Sequence, residues 1–288
     1  MSKTLRMLMI GAHPDDCDIL AGGLALKYIR AGHNVKFISM ASGSRGHHEL
    51  SPVKTAARRL GETEAVTALT GIEYEVWDIP DCELMATLPN RERTIRAIRS
   101  YKPDVVFTHR LNDYHADHRN ASQLVQDAAY LLIVPNYCPD TPALSEMPVI
   151  MHFFDNFRNP PFQPDVVVDI DDVIIDKYRI LDCHVSQMYE WLPYTLGSLE
   201  QVPADPEARF EWLQLPRLPQ LNRPLELSDF PNKRVSPVSE FRLALPAVKY
   251  REDLLRHYGY APRFAEAFAV SEYGKQLTPD TKALLFPF

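Results

Sequence analysis

The residues best suited to chemistry stand near the start of the chain, where one histidine and three aspartates occur within six positions. They are His13, Asp15, Asp16 and Asp18, and they follow the apolar run 7–10. Carboxylates packed this closely repel one another unless a cation or a proton holds them. The cluster therefore favours a bound divalent metal.

A second group of polar residues follows the apolar run 105–108. Three of the ten histidines, His109, His115 and His118, lie within eleven positions here, and Asp117 stands among them. Imidazoles interleaved with carboxylates suit a metal site that also performs acid–base chemistry. The spacing of His115 and His118 puts both rings on one side of a helical turn.

Alternating strand and helix patterns up to about residue 190 supply the elements that must position these groups. The strands are predicted at 5–10, 35–40, 74–77, 105–108, 149–154 and 166–170, with helices between most of them. Repeated βα units predict an α/β fold, a Rossmann-like doubly wound and mainly parallel sheet with helices on both faces. If strand 105–108 returns beside strand 5–10, both polar groups face one crevice at the switch point of the sheet.

The composition changes after residue 191, where prolines recur too often for long helices or central strands. We therefore expect a catalytic α/β domain over 1–191 and a proline-rich extension over 192–288. The extension would pack on that domain or on a neighbouring subunit, which allows a homo-oligomer. Short helices are predicted within it at 251–258 and 263–272.

Composition also limits the class of partner. The 288 residues carry a net charge of −7, so the basic footprint of a nucleic-acid-binding protein is missing. No apolar run approaches the ~20 residues that span a bilayer, and no signal-peptide pattern opens the chain, so a cytoplasmic protein is expected. The four cysteines lack CxxC spacing and are predicted to be free thiols.

Several motifs in this order make the chain resemble the PIG-L/LmbE family of zinc-dependent de-N-acetylases, which act on N-acetylglucosamine-type sugars. The motifs are His13-Pro14-Asp15-Asp16 with Gly22-Gly23, Arg59-x-Gly61-Glu62, Asp78-x-Pro80-Asp81, His115-x-Asp117-His118, and Lys177 with His184-x-Ser186-Gln187. Two positions depart from the family pattern. Cys17 stands where Glu is usual, and Ala116 where Pro is common.

The resemblance implies a zinc ion held by His13, Asp16 and His118, a ligand set that also admits iron(II). Three nitrogen and oxygen ligands with one open position are typical of a catalytic zinc site. Asp15 would be the general base on a water that the metal activates.

The same resemblance assigns roles around the metal. His115, protonated, would stabilise the oxyanion or donate a proton to the leaving amine, and Asp117 would orient an imidazole. Arg59 and Asp81 would hold sugar hydroxyls. The implied substrate is a small N-acylated sugar.

Other interpretations remain open at this point. Asp15 and Asp16 could simply cap a helix, and the glycines could suggest a dinucleotide site, although G-x-G-x-x-G is absent. His109 and His184 could be structural or belong to the site. The chain could also hydrolyse a different amide, or be a non-catalytic sugar- or nucleotide-binding module on the same fold.

Overall fold

A single mixed sheet organises the computed structural model, which describes residues 3–230 and 235–288. Its strands are β1 (Arg6–Gly11), β2 (Asn34–Ser39), β3 (Glu73–Val76), β4 (Val105–Thr108), β5 (Val149–Phe153), β6 (Val166–Asp169) and β7 (Ala265–Val270). Their order across the sheet is β3-β2-β1-β4-β5-β7-β6. The first five strands pair in parallel, and β7 is antiparallel to both of its neighbours.

Helices cover both faces of this sheet. They are α1 (Asp16–Arg30), α2 (Pro52–Thr70), α3 (Leu88–Tyr101), α4 (Ala116–Leu131), α5 (Ile174–Cys183), α6 (Leu192–Leu196), α7 (Pro206–Leu213), α8 (Glu240–Lys249), α9 (Arg251–Tyr258) and α10 (Pro279–Leu285). A π-helical segment, Ser186–Trp191, precedes α6. Among the described residues, no helix is long and apolar enough to cross a membrane. The predicted doubly wound α/β fold is confirmed.

The two faces of the sheet bury different side chains of the same strands. In β1, Met7 and Met9 pack into the core under α1, α2 and α5, whereas Leu8 and Ile10 pack into the core under α3 and α4. Successive residues of a strand point to opposite faces, so a strand covered on both sides reads as a continuous apolar run. This accounts for the unbroken apolar pattern of β1.

The sheet brings the two polar groups of the sequence together. Strand β4 lies directly beside β1, as predicted, and Ile10 is paired with Thr108. Both strands therefore end at the same level. The loop that follows β1, with His13, and the loop that follows β4, with His109, start side by side at the switch point.

The C-terminal part contains one element that the sequence analysis predicted wrongly. The segment 263–272 is not a helix, because Ala265–Val270 forms β7 between β5 and β6. Its alanines and its glutamate have high helix propensity. Glu266 nevertheless lies inside, only 4% exposed, where it accepts hydrogen bonds from the backbone of Gly23 and Leu24. The predicted helix at 251–258 is present as α9.

Candidate metal and catalytic site

The turn between β1 and α1 is held by the carboxylate of Asp16. Its Oδ2 atom accepts hydrogen bonds from the backbone N–H groups of Ala12, at 3.0 Å, and His13, at 2.8 Å. The Oδ1 atom lies 3.4 Å from Nε2 of His118, which is on the first turn of α4. Asp16 therefore connects the two loops.

Three donor atoms converge at this point. Nδ1 of His13 is 3.3 Å from Nε2 of His118 and 3.5 Å from Oδ2 of Asp16. Zinc binds nitrogen at about 2.0–2.1 Å in tetrahedral geometry, which places neighbouring ligand atoms about 3.3 Å apart. The donor types and their separations therefore fit a tetrahedral metal ion.

The far side of each of these donors is held by another buried side chain. Asp117, fully buried, contacts Nε2 of His13 at 3.1 Å, and Asp113 contacts Nδ1 of His118 at 3.1 Å. Nε2 of His109 lies 3.1 Å from Oδ2 of Asp16. Carboxylates behind metal-binding imidazoles fix the ring orientation and raise the basicity of the ligand. Asp117 thus orients His13, a choice that the sequence left open.

The electrostatics of the site favour a positive charge. Although burial opposes it, hydrogen bonds to Asp117 and Asp16 raise the pKa of His13 to about 9. Burial likewise opposes a charged His118, but Asp16 and Asp113 raise its pKa to about 10. Burial and the neighbouring His118 lower the pKa of His109 to about 4. A metal cation would take the place of the protons on the two ligand histidines.

Asp15, the predicted general base, also lies beside the cavity that the metal ligands face. It occupies the N-cap position of α1, but its side chain makes no capping hydrogen bond, so the helix-cap interpretation is wrong for this residue. Instead, Nη2 of Arg59 donates a hydrogen bond to its Oδ1 atom at 2.8 Å.

Arg59 and Asp81, predicted to bind sugar, are both buried and both line the same cavity. The Asp81 carboxylate accepts hydrogen bonds from the backbone of Gly43, at 2.7 Å, and Arg45, at 3.2 Å. Gly43 has a φ of +74°, and a Cβ atom there would lie 2.5 Å from Cδ of Arg59. The loop that contains these residues therefore packs tightly against the arginine.

His115 begins α4 and faces the cavity. Its Nδ1 atom accepts a hydrogen bond from the backbone N–H of Asp117 at 3.1 Å. A neutral ring in this position carries its proton on Nε2. Burial and the nearby His13 and His118 lower the pKa of His115. The residue can thus donate a hydrogen bond from Nε2 while it is neutral.

The cavity has a volume of about 500 Å³ and is lined by all of the predicted site residues except Asp117, which lies behind His13. Tyr114 and Trp191 extend its wall with aromatic rings. His184 is absent from this wall: it is fully buried, with Nε2 3.2 Å from Asp18. His109 lines the cavity.

Besides these aromatic residues of the wall, sequence reasoning missed two residues that contact the predicted site residues. Asp113 holds His118, and Cys82 lines the cavity while its backbone N–H donates to Asp117 at 2.7 Å. The only signal for Asp113 was its place in the histidine-rich loop, two residues before His115. The sequence gave no signal for Cys82, because it does not show that the turn containing Cys82 contacts Asp117 on α4.

The stretch of chain that carries these residues is similar to known proteins. The family model described as GlcNAc-PI de-N-acetylase, PIG-L, matches residues 8–129, which include every predicted site residue. A diacetylchitobiose deacetylase from Thermococcus kodakarensis is 30% identical over 200 residues, 66% of this chain and 74% of that protein. A 1D-myo-inositol 2-acetamido-2-deoxy-alpha-D-glucopyranoside deacetylase from Geodermatophilus obscurus is 25% identical over 170 residues, 49% of this chain and 58% of that protein.

Solved structures share the fold. The N,N'-diacetylchitobiose deacetylase from Pyrococcus horikoshii superposes with a TM-score of 0.65 at 23% identity, covering 92% of this chain and 83% of that one. The 4-carboxy-2-hydroxymuconate hydratase from Pseudomonas putida superposes with a TM-score of 0.66 at 20% identity, covering 96% and 100%. The structural likeness establishes the fold alone, but the family match and the identity to the Thermococcus protein establish descent. This chain belongs to the PIG-L family.

Proposed function

We propose that this protein removes the N-acetyl group from an N-acetylglucosamine-type sugar, using a metal held by His13, Asp16 and His118. The observation that carries the proposal is the convergence of two imidazole nitrogens, 3.3 Å apart, with the Asp16 carboxylate, whose Oδ2 is 3.5 Å from His13 and whose Oδ1 is 3.4 Å from His118. All three residues line a cavity that Asp15 also lines. The names of the relatives support the reaction and the type of substrate. When bound, zinc or iron(II) would polarise the amide carbonyl and lower the pKa of water.

Asp15 is the group that moves the proton. Arg59 holds its Oδ1 atom, and among the described residues Oδ2 has no hydrogen-bond partner. This oxygen can take a proton from the attacking water and return it to the amine nitrogen as the carbon–nitrogen bond breaks. A positioned carboxylate acting in this way contributes about 10²–10⁴-fold in rate.

His115 is the donor for the developing oxyanion. The hydrogen bond that its Nδ1 atom accepts leaves the Nε2 proton directed away from the α4 backbone. Removing one such donor in other hydrolases costs about 10²–10³-fold in kcat. Arg59 and Asp81 border the cavity, so we retain them as contacts for the sugar in addition to their roles within the protein.

The test combines metal content with turnover. The purified chain should hold about one zinc or iron per molecule and release acetate from N-acetylglucosamine or N,N'-diacetylchitobiose. Asp15→Asn should keep the metal and lose turnover, whereas His118→Ala should lose both. The surface variant Asp78→Asn, whose carboxylate pairs with Arg93 on the surface, is the matched control.

Two results would overturn the proposal. Full turnover by Asp15→Asn would show that Asp15 is not the general base. A metal-loaded chain that is inactive on N-acetylated sugars would leave a different amide, a hydration reaction or sugar binding without turnover as the function.

A further inference from the structure

A second cavity of about 300 Å³ adjoins the catalytic one. The two have six lining residues in common, namely Ile19, Leu20, Phe154, Asp155, Asn156 and Arg242. A ligand that extends from one cavity into the other would pass these residues. We call this second cavity the apolar chamber.

The remainder of the apolar chamber is built mainly by the C-terminal part of the chain. Phe241, Leu245 and Pro246 of α8 line it together with Phe230, and the two phenylalanine rings meet edge to face with centroids 5.6 Å apart. These side chains leave hydrocarbon surface facing the chamber. Such a surface favours an apolar ligand, because burying apolar area against it is stabilising.

The charged residues along the apolar chamber have protein partners. Nζ of Lys177 is 2.6 Å from Glu266 and donates to the carbonyl of Ile19 at 2.8 Å. Asp155 pairs with Arg110 at 2.9 Å. An ionic ligand would have to compete with these pairs and be desolvated, which is costly. An uncharged hydrocarbon group meets neither penalty.

We propose that the apolar chamber binds an alkyl or aryl group of the substrate while the N-acyl group lies in the catalytic cavity. This inference rests on the proposed deacetylase function and narrows its substrate class. It makes the preferred substrate an N-acylated sugar that carries a hydrocarbon substituent. That substituent is either the acyl chain itself or the group on the anomeric oxygen.

The first test uses two substrate series with the zinc-loaded full chain. One series varies the anomeric substituent of N-acetylglucosamine from methyl to butyl and octyl. The other keeps the methyl glycoside and varies the acyl group from acetyl to butyryl and hexanoyl. We expect KM to fall by roughly two- to fourfold per buried methylene in one series, and that series identifies the substituent in the apolar chamber.

Two variants test whether the dependence of KM on chain length arises in the apolar chamber. Leu245→Trp should fill the apolar chamber, and Phe241→Ala should remove part of its wall. Each should abolish the dependence of KM on chain length while the methyl and acetyl substrate keeps its kinetics. Leu284→Ala is the matched control, because Leu284 is 54% exposed on α10 and lines neither cavity.

A binding measurement separates this inference from the proposed function. Calorimetry with octyl β-glucosaminide should show binding at least about tenfold tighter than with the methyl glycoside, and Leu245→Trp should remove the difference. If the chain turns over substrate with a KM that does not depend on chain length in either series, and binds the two glycosides equally, the proposed role of the apolar chamber is wrong. The proposed deacetylase function would stand. Tight binding that depends on Leu245, without turnover, would contradict the proposed deacetylase function and support the proposed role of the apolar chamber.

Discussion

Three histidines at the candidate metal site each have one ring nitrogen engaged within the protein, and the proposed roles follow from the nitrogen that is left. His13 uses Nε2 to contact Asp117 and so presents Nδ1, whereas His118 uses Nδ1 to contact Asp113 and so presents Nε2. His115 uses Nδ1 to cap a helix. The division between ligand and donor therefore depends on which nitrogen is already engaged.

Replacing Asp113 tests this division. Asp113→Asn removes the charge behind His118 while it keeps an oxygen that can accept from Nδ1. We expect zinc affinity to fall by about 10–100-fold, measured by competition with a chromophoric chelator. Unfolding midpoints should confirm that the fold is retained, and Asp78→Asn should bind zinc normally. Unchanged zinc affinity in Asp113→Asn would show that the negative charge behind His118 adds nothing to metal binding.

Cys82 offers a chemical probe of the same cavity. It is exposed, whereas Cys17 and Cys138 are buried, so iodoacetamide should modify Cys82 before either of them. Burial and the carboxylates of Asp117 and Asp81 raise the pKa of the Cys82 thiol. Since only the thiolate reacts, labelling should be slow at pH 7 and accelerate as the pH rises beyond the usual thiol pKa of about 8.5.

The label should also block the cavity that Cys82 lines, and with it turnover. Peptide mass spectrometry would identify the modified residue, and Cys82→Ala should be active and insensitive to the reagent. Rapid labelling at neutral pH would contradict the raised pKa.

The residue types and order were enough to predict that the two polar motifs share one crevice, because both follow strands that a doubly wound sheet places side by side. The ligand set His13, Asp16 and His118 came from the family resemblance and stays a prediction. The same information could not show which carboxylate stands behind which imidazole. Asp113 and Asp117 are both near His115 and His118 in sequence, yet Asp117 reaches across to His13. That pairing depends on the separation of two loops, which only the folded chain defines.

At the scale of elements, helix α2 and the loop after β2 act as one unit that holds Asp15, the proposed general base. Arg59 projects from α2 to Asp15, and the loop around Gly43 closes over the arginine side chain. Arg59 is only 2% exposed, so its guanidinium has little freedom to turn away from Asp15.

Substitution of Gly43 by alanine, which adds one methyl group, tests this packing. Gly43→Ala places a Cβ atom 2.5 Å from Cδ of Arg59, so the loop and the arginine must shift relative to each other, which we expect to disturb the contact of Arg59 with Asp15. We expect turnover to fall by about 10²-fold, because small misplacements of catalytic groups carry costs of that size. Zinc content should not change.

Gly71→Ala provides the matched control. Gly71 has a similar φ of +78°, but a Cβ atom there would meet nothing within 4 Å. It should therefore show the backbone strain without the loss of turnover. Equal losses in both variants would assign the effect to strain and not to Arg59.

Element prediction failed where burial of a charge overrode local propensity. The segment 263–272 was predicted as helix, and its alanines and glutamate have a high helix propensity, yet Ala265–Val270 is a strand. Glu266 is tolerated there because Lys177 and two backbone N–H groups of α1 neutralise and solvate it. Those partners lie some 90 and 240 positions away along the chain. The sequence around this segment therefore gives no indication of these partners.

At the scale of the whole molecule, β7 joins the C-terminal part to the sheet that carries the candidate metal site. The strand lies between β5 and β6, and Phe268 packs against Phe107 of β4 in the same core. We therefore propose that the segments 1–191 and 192–288 unfold together. The buried pair of Lys177 and Glu266, one from each segment, is the point at which this can be measured.

Lys177→Met should leave the Glu266 carboxylate buried without its cation and lower the free energy of unfolding by about 3–5 kcal/mol. The double variant Lys177→Met/Glu266→Gln removes the stranded charge and should recover part of that loss. Urea denaturation followed by far-ultraviolet circular dichroism and by fluorescence of Trp212, with the other two tryptophans replaced by phenylalanine, would report on both segments. Coincident transitions that shift together are expected, since a shared sheet cannot lose one strand and keep its core. Two separate transitions would mean that the N-terminal segment keeps its fold without the C-terminal strand. A double variant as unstable as Lys177→Met would mean that the stranded Glu266 charge is not the cause of the loss.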